Sequence, residues 1–162
     1  MKHICATLLL LCVNPIQELD RVFIDEVKEC ALKYNSTLQP EDRIPIKLLI
    51  AQAIHESDWG KSRFAVQGNN LFGIKAIDDE SFIRAKSGKK VKAYLTKCES
   101  VEDYIDLLSF GEHYEEFKNV LINQYISDNV DVYILVQYLY NYAEDIEYEN
   151  KIKKLIKQLE GV

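Results

Sequence analysis

The chain has no surplus of positive charge, no CxxC pair, no histidine cluster and no apolar run long enough to cross a membrane. Twenty Lys and Arg stand against 26 Asp and Glu, for a formal net charge of −6 and a pI near 5.1. Nucleic-acid binding draws on a basic field that this balance lacks, so no nucleic-acid partner is expected. The four cysteines, at positions 5, 12, 30 and 98, have neither metal-ligand nor thioredoxin-like spacing, and no metal or other cofactor is implied. No internal repeat, low-complexity tract or linker divides the 162 residues, of which 48% are hydrophobic. That length and composition suit one globular domain with a sizeable core, and a monomer is expected.

The longest apolar stretch lies at the N-terminus, where Lys2 precedes about ten apolar residues ending at Val13. This matches the basic and apolar regions of a secretory signal and is too short for a mature membrane span. Residues 1–17 are therefore set apart as a signal or anchor segment and residues 18–162 as the domain proper, although no small-x-small cleavage pair precedes Glu18. The other reading is an apolar N-terminal helix packed on the domain. Export to the periplasm, cell wall or medium is expected, with membrane contact only through this segment if it stays uncleaved. Cleavage would remove two cysteines, leaving Cys30 and Cys98 either to pair in an oxidising compartment or to remain as two buried thiols.

What the chain does have is a carboxylate at an unusual junction. Pro45 suits the start of a helix, and Ile46, Leu49, Ile50, Ala53 and Ile54 recur at three- and four-residue spacing, predicting one apolar stripe. Gly60 is the expected stop. Glu56 then falls in the last turn, beside the only tryptophan, Trp59, and ahead of a Gly- and Asn-rich segment, 68–73. The carbonyl end of the helix dipole disfavours an anion there by about 0.3–1 kcal/mol. Cover from Trp59 or Phe64 would push the same way. A carboxyl raised toward neutrality can protonate a leaving oxygen, which makes Glu56 a candidate general acid. Gln52, one turn earlier on the same face, could line the same cleft. His55 points about 100° away on a helix and is read as structural or surface.

Elsewhere the pattern is mostly helical. Residues 19–34 carry Leu19, Val22, Phe23, Val27, Ala31 and Leu32 at helical spacing. Short apolar pieces at 71–77, 81–85 and 91–95, with a Ser87-Gly88 turn, predict a small β-hairpin. A Ser100-x-x-Asp103 pattern resembles a capping box opening a helix over 101–110, and further helical stretches cover 114–126 and 130–142, followed by a lysine-rich end at 148–159. Lys86, Lys89, Lys90, Lys92 and Lys97 on and after the hairpin are read as a solvated surface. Of ten tyrosines, six lie between Tyr125 and Tyr148. A tyrosine offers a sugar ring both an apolar face and a hydroxyl.

Four motifs then fall in order. AQAIHESDWGKSRFA at 51–65 resembles the AQA-x-x-ES-x-WG-x-SRFA of the bacterial glucosaminidase family, found in autolysins, in the flagellar peptidoglycan hydrolase and in Bax-type proteins. GNNLFGIK at 68–75, Tyr94 with ESVEDY at 99–104, and YAEDIEY at 142–148 are similar to three further motifs of that family. The resemblance implies an α+β, mostly α, lysozyme-like helical domain whose small β-hairpin lobe flanks a substrate groove. It implies a peptidoglycan hydrolase, an endo-β-N-acetylglucosaminidase cutting the β-1,4 bond after N-acetylglucosamine, with glycan strands as the partner. By the same resemblance Glu56 is the catalytic acid and Tyr142 an active-site tyrosine. Gln52, Trp59, Phe64, Asn70, Phe72 and Tyr148 are candidate substrate contacts.

One departure concerns the second carboxylate, which the family carries on a longer β-lobe. Here only Asp78, Asp79 and Glu80 precede the hairpin. Retaining glycosidases hold their carboxyls about 5–5.5 Å apart and inverting ones about 6.5–9.5 Å. Either one of these three serves as base, or the substrate's acetamido group assists. Lytic transglycosylase cleavage and a non-catalytic wall-binding module are the alternatives.

Overall fold

The computed structural model describes residues 18–160; the segment read as a signal or anchor lies outside them. Helix α1 (Glu18–Asn35) and helix α2 (Ile46–Ser57) are joined by a loop that Asn35 closes, its amide donating to Ile44 O at 2.9 Å. A short helix α3 (Arg63–Gly68) leads to strands β1 (Phe82–Arg84) and β2 (Lys90–Lys92). Helices α4 (Lys97–Phe110), α5 (Glu115–Ile126), α6 (Val132–Leu135) and α7 (Tyr148–Leu159) complete the chain. Among the described residues no helix is long and apolar enough to cross a membrane.

The expectation of a single apolar stripe on α2 is corrected. Leu48 through Ile54 are all buried, so the helix runs through the middle of the core rather than along its edge. Helix α1 packs against it and against α4, and α7 closes the other side. The buried face of α1 is Phe23, Ile24, Val27, Cys30 and Ala31, whereas Val22 and Leu32 of the expected stripe are exposed. In α7, Tyr148, Ile152 and Ile156 point inward at four-residue spacing, and Lys151, Lys154 and Lys157 face solvent.

The hairpin is antiparallel, pairing Phe82 with Lys92, Ile83 with Val91 and Arg84 with Lys90. Gly88, at φ +85°, makes the turn. Of segment 71–77, Lys75 bridges to Val91, with Ile74 O accepting from Lys92 N–H at 2.9 Å and Ala76 N–H donating to Lys90 O at 3.1 Å, and no further strand forms. Gly68 lets the lobe sit close on α3, since a Cβ there would stand 2.7 Å from Ile83 Cδ1.

Two helices differ from expectation for identifiable reasons. Helix α4 opens four residues before Val101, because Thr96 accepts from Glu99 N–H at 3.2 Å and Glu99 accepts from Leu95 N–H at 3.0 Å. Thr-x-x-Glu is the same capping signal with the stronger acidic partner. Ser100, the expected cap, is instead buried in the first turn and donates to Lys97 O. The helix expected over 130–142 tightens to a 3-10 turn at Val136–Tyr138 and then unwinds, so that Tyr142 reaches across to Phe72 O. Burial of Leu135, Val136 and Leu139 decides this, overriding local helix preference.

Candidate active site

Glu56 sits one residue from the end of α2, where the chain reverses sharply. The helix ends at Ser57 rather than running to Gly60, and Asp58, Trp59 and Gly60 all take positive φ, at 50°, 58° and 74°. For a bulky Trp this conformation costs of order 1–3 kcal/mol and persists only where surroundings over-determine it. Ser57 supplies much of that constraint. Its hydroxyl donates to Ala53 O and accepts from Gly60 N–H at 2.8 Å, while its carbonyl accepts from Ser62 N–H at 2.8 Å.

The Glu56 side chain is mostly enclosed, and its Oε1 is wholly buried without a hydrogen-bond partner among the described residues. Burial raises its carboxyl above the ordinary range, with the Tyr148 hydroxyl pulling more weakly the other way. No neighbouring carboxylate contributes to that shift. Gly73, at φ +69°, keeps the opposite oxygen open: a Cβ there would stand 3.7 Å from Oε2.

The enclosure comes from tyrosines. Tyr142 stacks on Tyr148 with ring centroids 6.0 Å apart, Tyr104 meets Tyr142 edge-on at 5.9 Å, and Tyr114 lies 6.3 Å from Tyr142. Burial pushes the hydroxyls of Tyr104, Tyr142 and Tyr148 upward and that of Tyr114 up to about 12, so all four are neutral. The Tyr142 hydroxyl donates to Phe72 O at 2.7 Å, tying the late motif to the Gly-Asn loop. Phe72 stacks on Tyr104 at 4.0 Å. His55 meets the edge of Tyr148 at 5.3 Å, its imidazole pushed down by burial and by Lys151 against the pull of Asp145. Tyr148 also lines a separate open depression of about 430 Å³ with Leu139, Tyr140, Ala143 and Ile146.

The structure therefore brings Glu56, Gln52, Phe72, Tyr142 and Tyr148 together, with different parts to play. Gln52 and Phe72 are fully buried and form the back of the site. Trp59 packs edge-on against Phe23 of α1, and Phe64 lies beneath the Arg63 guanidinium at 4.8 Å; the cover expected from these two rings comes from tyrosines instead. Tyr104 and Tyr114 are not among the candidate contacts that the motifs mark. Tyr104 closes the ESVEDY motif, the one signal that could have marked it.

Asp78, at φ 41°, and Asp79 are exposed in the turn before β1. Glu80 is engaged at both oxygens: Oε1 pairs with Lys92 Nζ at 2.6 Å and Oε2 accepts from Ile77 N–H at 2.9 Å. The Lys92 bond holds its carboxyl below the ordinary range. Lys92 also meets Asp103 at 2.8 Å, pinning the lobe to α4. Lys97 pairs with Glu26 at 2.6 Å and Lys90 lies 4.7 Å above the Phe82 ring, while Lys86 and Lys89 are exposed.

The sequence profile of glucosaminidases, described as mannosyl-glycoprotein endo-beta-N-acetylglucosaminidase, matches residues 33–161. The chain belongs to this glucosaminidase family. It is 28% identical to the exo-glucosaminidase LytG of Bacillus subtilis (strain 168) over 155 residues, 88% of this chain and 53% of that protein. The chain spans about half or less of the length of the curated relatives it matches. Its fold is similar to the catalytic domain of the autolysin Auto from Listeria monocytogenes, with a TM-score of 0.68 and 21% identity over 92% of this chain and 89% of that one. It is also similar to a peptidoglycan hydrolase from Sphingomonas sp. A1, with a TM-score of 0.65 and 25% identity over 84% and 86%. The glucosaminidase domain is thus lysozyme-like, mainly helical, with a small β-lobe.

Within this domain Asn70 acts on the loop's shape. It is 1% exposed; its amide donates to Ile74 O and Lys92 O at 2.9 and 2.8 Å, and its carbonyl accepts from Phe72 and Ile74 N–H, both at 3.2 Å. All four bonding positions are used, leaving none for a sugar. Asn70→Ala is expected to destabilise the glucosaminidase domain by about 3 kcal/mol, since buried backbone groups lose their partners. Urea unfolding of the variant checks this through its midpoint at unchanged slope.

Proposed function

We propose that the chain hydrolyses the β-1,4 bond after N-acetylglucosamine in peptidoglycan glycan strands, with Glu56 as general acid. The observation that carries this reading is the buried, unpartnered carboxyl oxygen of Glu56 among neutral tyrosines. Burial keeps a proton on a carboxyl until the reacting oxygen arrives. Glu56 gives that proton to the glycosidic oxygen as the bond to the anomeric carbon breaks, and the leaving strand departs as an alcohol. Water then adds to the oxocarbenium-like sugar and returns a proton to Glu56. Tyr142, half-buried at the site, offers an apolar ring to the sugar.

Glu80 is spoken for by Lys92 and the Ile77 N–H. The second function therefore falls to Asp78, Asp79 or the substrate's own acetamido oxygen. Export is part of the same proposal and is supported by the bridge between Cys30 and Cys98, which a reducing compartment does not preserve.

Mass spectrometry of purified sacculi digested by the full chain tests the reaction. Fragments ending in reducing N-acetylglucosamine are expected, over a range of lengths if cleavage is internal. Fragments with 1,6-anhydromuramoyl ends would replace hydrolysis by transglycosylation. Wall binding without soluble product would make the domain a binding module.

A further inference from the structure

Residues 81–97 carry six Lys and Arg and not one Asp or Glu, while all 26 acids and the other 14 of the 20 cations lie elsewhere. The β-lobe is thus a cationic island on an acidic chain. Two of the six are neutralised, Lys92 by Glu80 and Asp103 and Lys97 by Glu26. Arg84, Lys86, Lys89 and Lys90 form no salt bridge among the described residues, although Asp78 and Asp79 stand exposed just before β1. Arg84 and Lys90 are paired directly across the hairpin, where like charges repel. They are held there all the same. The Arg84 guanidinium stands 5.4 Å and Lys90 Nζ 4.7 Å from the centre of the Phe82 ring, which is 39% exposed, and Arg84 donates to Gly88 O at 3.2 Å. Arg63 of α3 joins them, donating to Arg84 O at 2.8 Å. Ile83 turns the other way, toward Gly68, so Phe82, Arg84 and Lys90 share the outer face. A cluster of cations kept together against its own repulsion is a local rule broken, and such departures gather at functional sites.

We propose that this face of the lobe binds the carboxylates of the peptides that hang from the glycan strand. The inference rests on peptidoglycan as the substrate and extends that reading from the cleaved bond to the strand's peptides. Continuity with the acid carries it. Gly73, where a Cβ would stand 3.7 Å from Glu56 Oε2, leads directly into the lobe: Ile74 O accepts from Lys92 N–H at 2.9 Å, and Ala76 N–H donates to Lys90 O at 3.1 Å. Three residues span at most roughly 10 Å, so Lys90 and its partner Arg84 begin a short way along the same wall as Glu56. A strand seated at the acid meets them with its next peptides. The sugars of such a strand are neutral once peptides are attached, and the carboxylates recur with the peptides. Lys86 and Lys89, exposed on either side of the Gly88 turn, are point charges on flexible stems and suit an irregular peptide. The acidity of the rest of the chain is repelled by a wall dense in carboxylates, so the lobe also sets which face lands on it. Phosphodiester polymers would satisfy the charge alone, with no reason to follow the wall that leads from Glu56.

The test is co-sedimentation with purified sacculi over a range of salt, using the full chain with Glu56→Gln so that binding is read without cleavage. Beside it stands the same chain with Arg84→Gln, Lys86→Gln, Lys89→Gln and Lys90→Gln added. The fourfold change is expected to weaken binding about tenfold at low salt, since exposed ion pairs are weak singly and add over four. The difference is expected to vanish near about 1 M salt, where the screening length falls to about 3 Å. Sacculi whose carboxylates have been converted to amides are expected to lose the same factor with the parent chain and nothing further with the fourfold variant, because each change removes one side of the same contacts. Amidation also serves where the fourfold variant does not fold. Binding that is present but indifferent to substitution and amidation overturns the inference. Weakening by substitution without any effect of amidation overturns it as well, and gives the face to phosphodiester polymers. No sedimentation of either chain overturns the peptidoglycan reading along with it, whereas failure of cleavage is read separately, in the digested sacculi.

Discussion

Glu56→Gln is expected to lower the rate of glycan cleavage by about 10³-fold or more while raising thermal stability at neutral pH. The rate loss follows from chemistry: the amide keeps the shape and the apolar surroundings but has no proton to give, and general acid catalysis contributes about 10²–10⁴-fold. The stability gain follows from linkage. Burial raises the folded-state pKa of Glu56, so the fold favours its protonated form. That contribution is fully present below the ordinary carboxylate pKa and is lost as pH rises through the folded value. At neutral pH the native protein therefore carries a burden that the neutral amide does not. Melting curves of both proteins should coincide near about pH 4 and separate toward about pH 7, with the variant higher. Undiminished release of soluble wall fragments by the variant would remove Glu56 from the mechanism. Equal melting temperatures across the whole range would remove the buried carboxyl as a site of stored instability, the usual cost of a functional group held out of water.

The same residues show what the sequence makes legible and what it hides. Periodicity and the Gly-Asn punctuation place α2, Glu56 and the turn at Asn69 within about two residues, because burial of Leu49, Ile50, Ala53 and Ile54 and the tolerance of Asn69 for positive φ (51°) are local properties, whereas the short helix α3 carries no such signal. The upward shift at Glu56 was also readable in direction, but its expected agents were not. Trp59 turns to Phe23, and the cover comes from Tyr104, Tyr114, Tyr142 and Tyr148, which converge from segments up to 92 residues away from the acid in sequence. Convergence of that kind has no periodic signature. Gln52 and Asn70 were read as substrate contacts because they are polar residues in motifs. Their complete burial reveals them as residues that hold other groups in place, a distinction set by tertiary contacts alone. The α4 start is hidden for a smaller reason: two capping signals stand four residues apart, and Thr96 takes the cap by accepting from Glu99 N–H while the Glu99 carboxylate reaches back to Leu95 N–H.

Removal of the Cys30–Cys98 bridge is expected to give the largest loss of stability that leaves the site intact. The sequence left pairing and two free thiols equally open; the fold brings the two Cα atoms to 5.1 Å, within the span of a disulfide, across 68 residues. Closing a loop of that length restricts the unfolded chain by about 4 kcal/mol in the chain-entropy view, a large share of the roughly 5–15 kcal/mol that holds a domain together. The bridge joins α1 to the first turn of α4, where Lys97 meets Glu26 at 2.6 Å and Tyr34 donates to Asp106 at 2.8 Å further along the same contact. Those bonds and the buried α1 face keep the helices docked after reduction, so the native state survives with less margin. Cys30→Ala/Cys98→Ala, or the native chain under reductant, should melt about 10 °C lower. At about 25 °C the double variant should retain its kcat and the titration midpoint of the Glu56 carboxyl, because the acid is enclosed by α7 and the tyrosines rather than by α1. A melting temperature unchanged after verified reduction would show that the bridge adds no constraint to the unfolded chain. A shifted Glu56 midpoint would show instead that the α1–α4 contact reaches the site, through the stack of Tyr104 on Phe72.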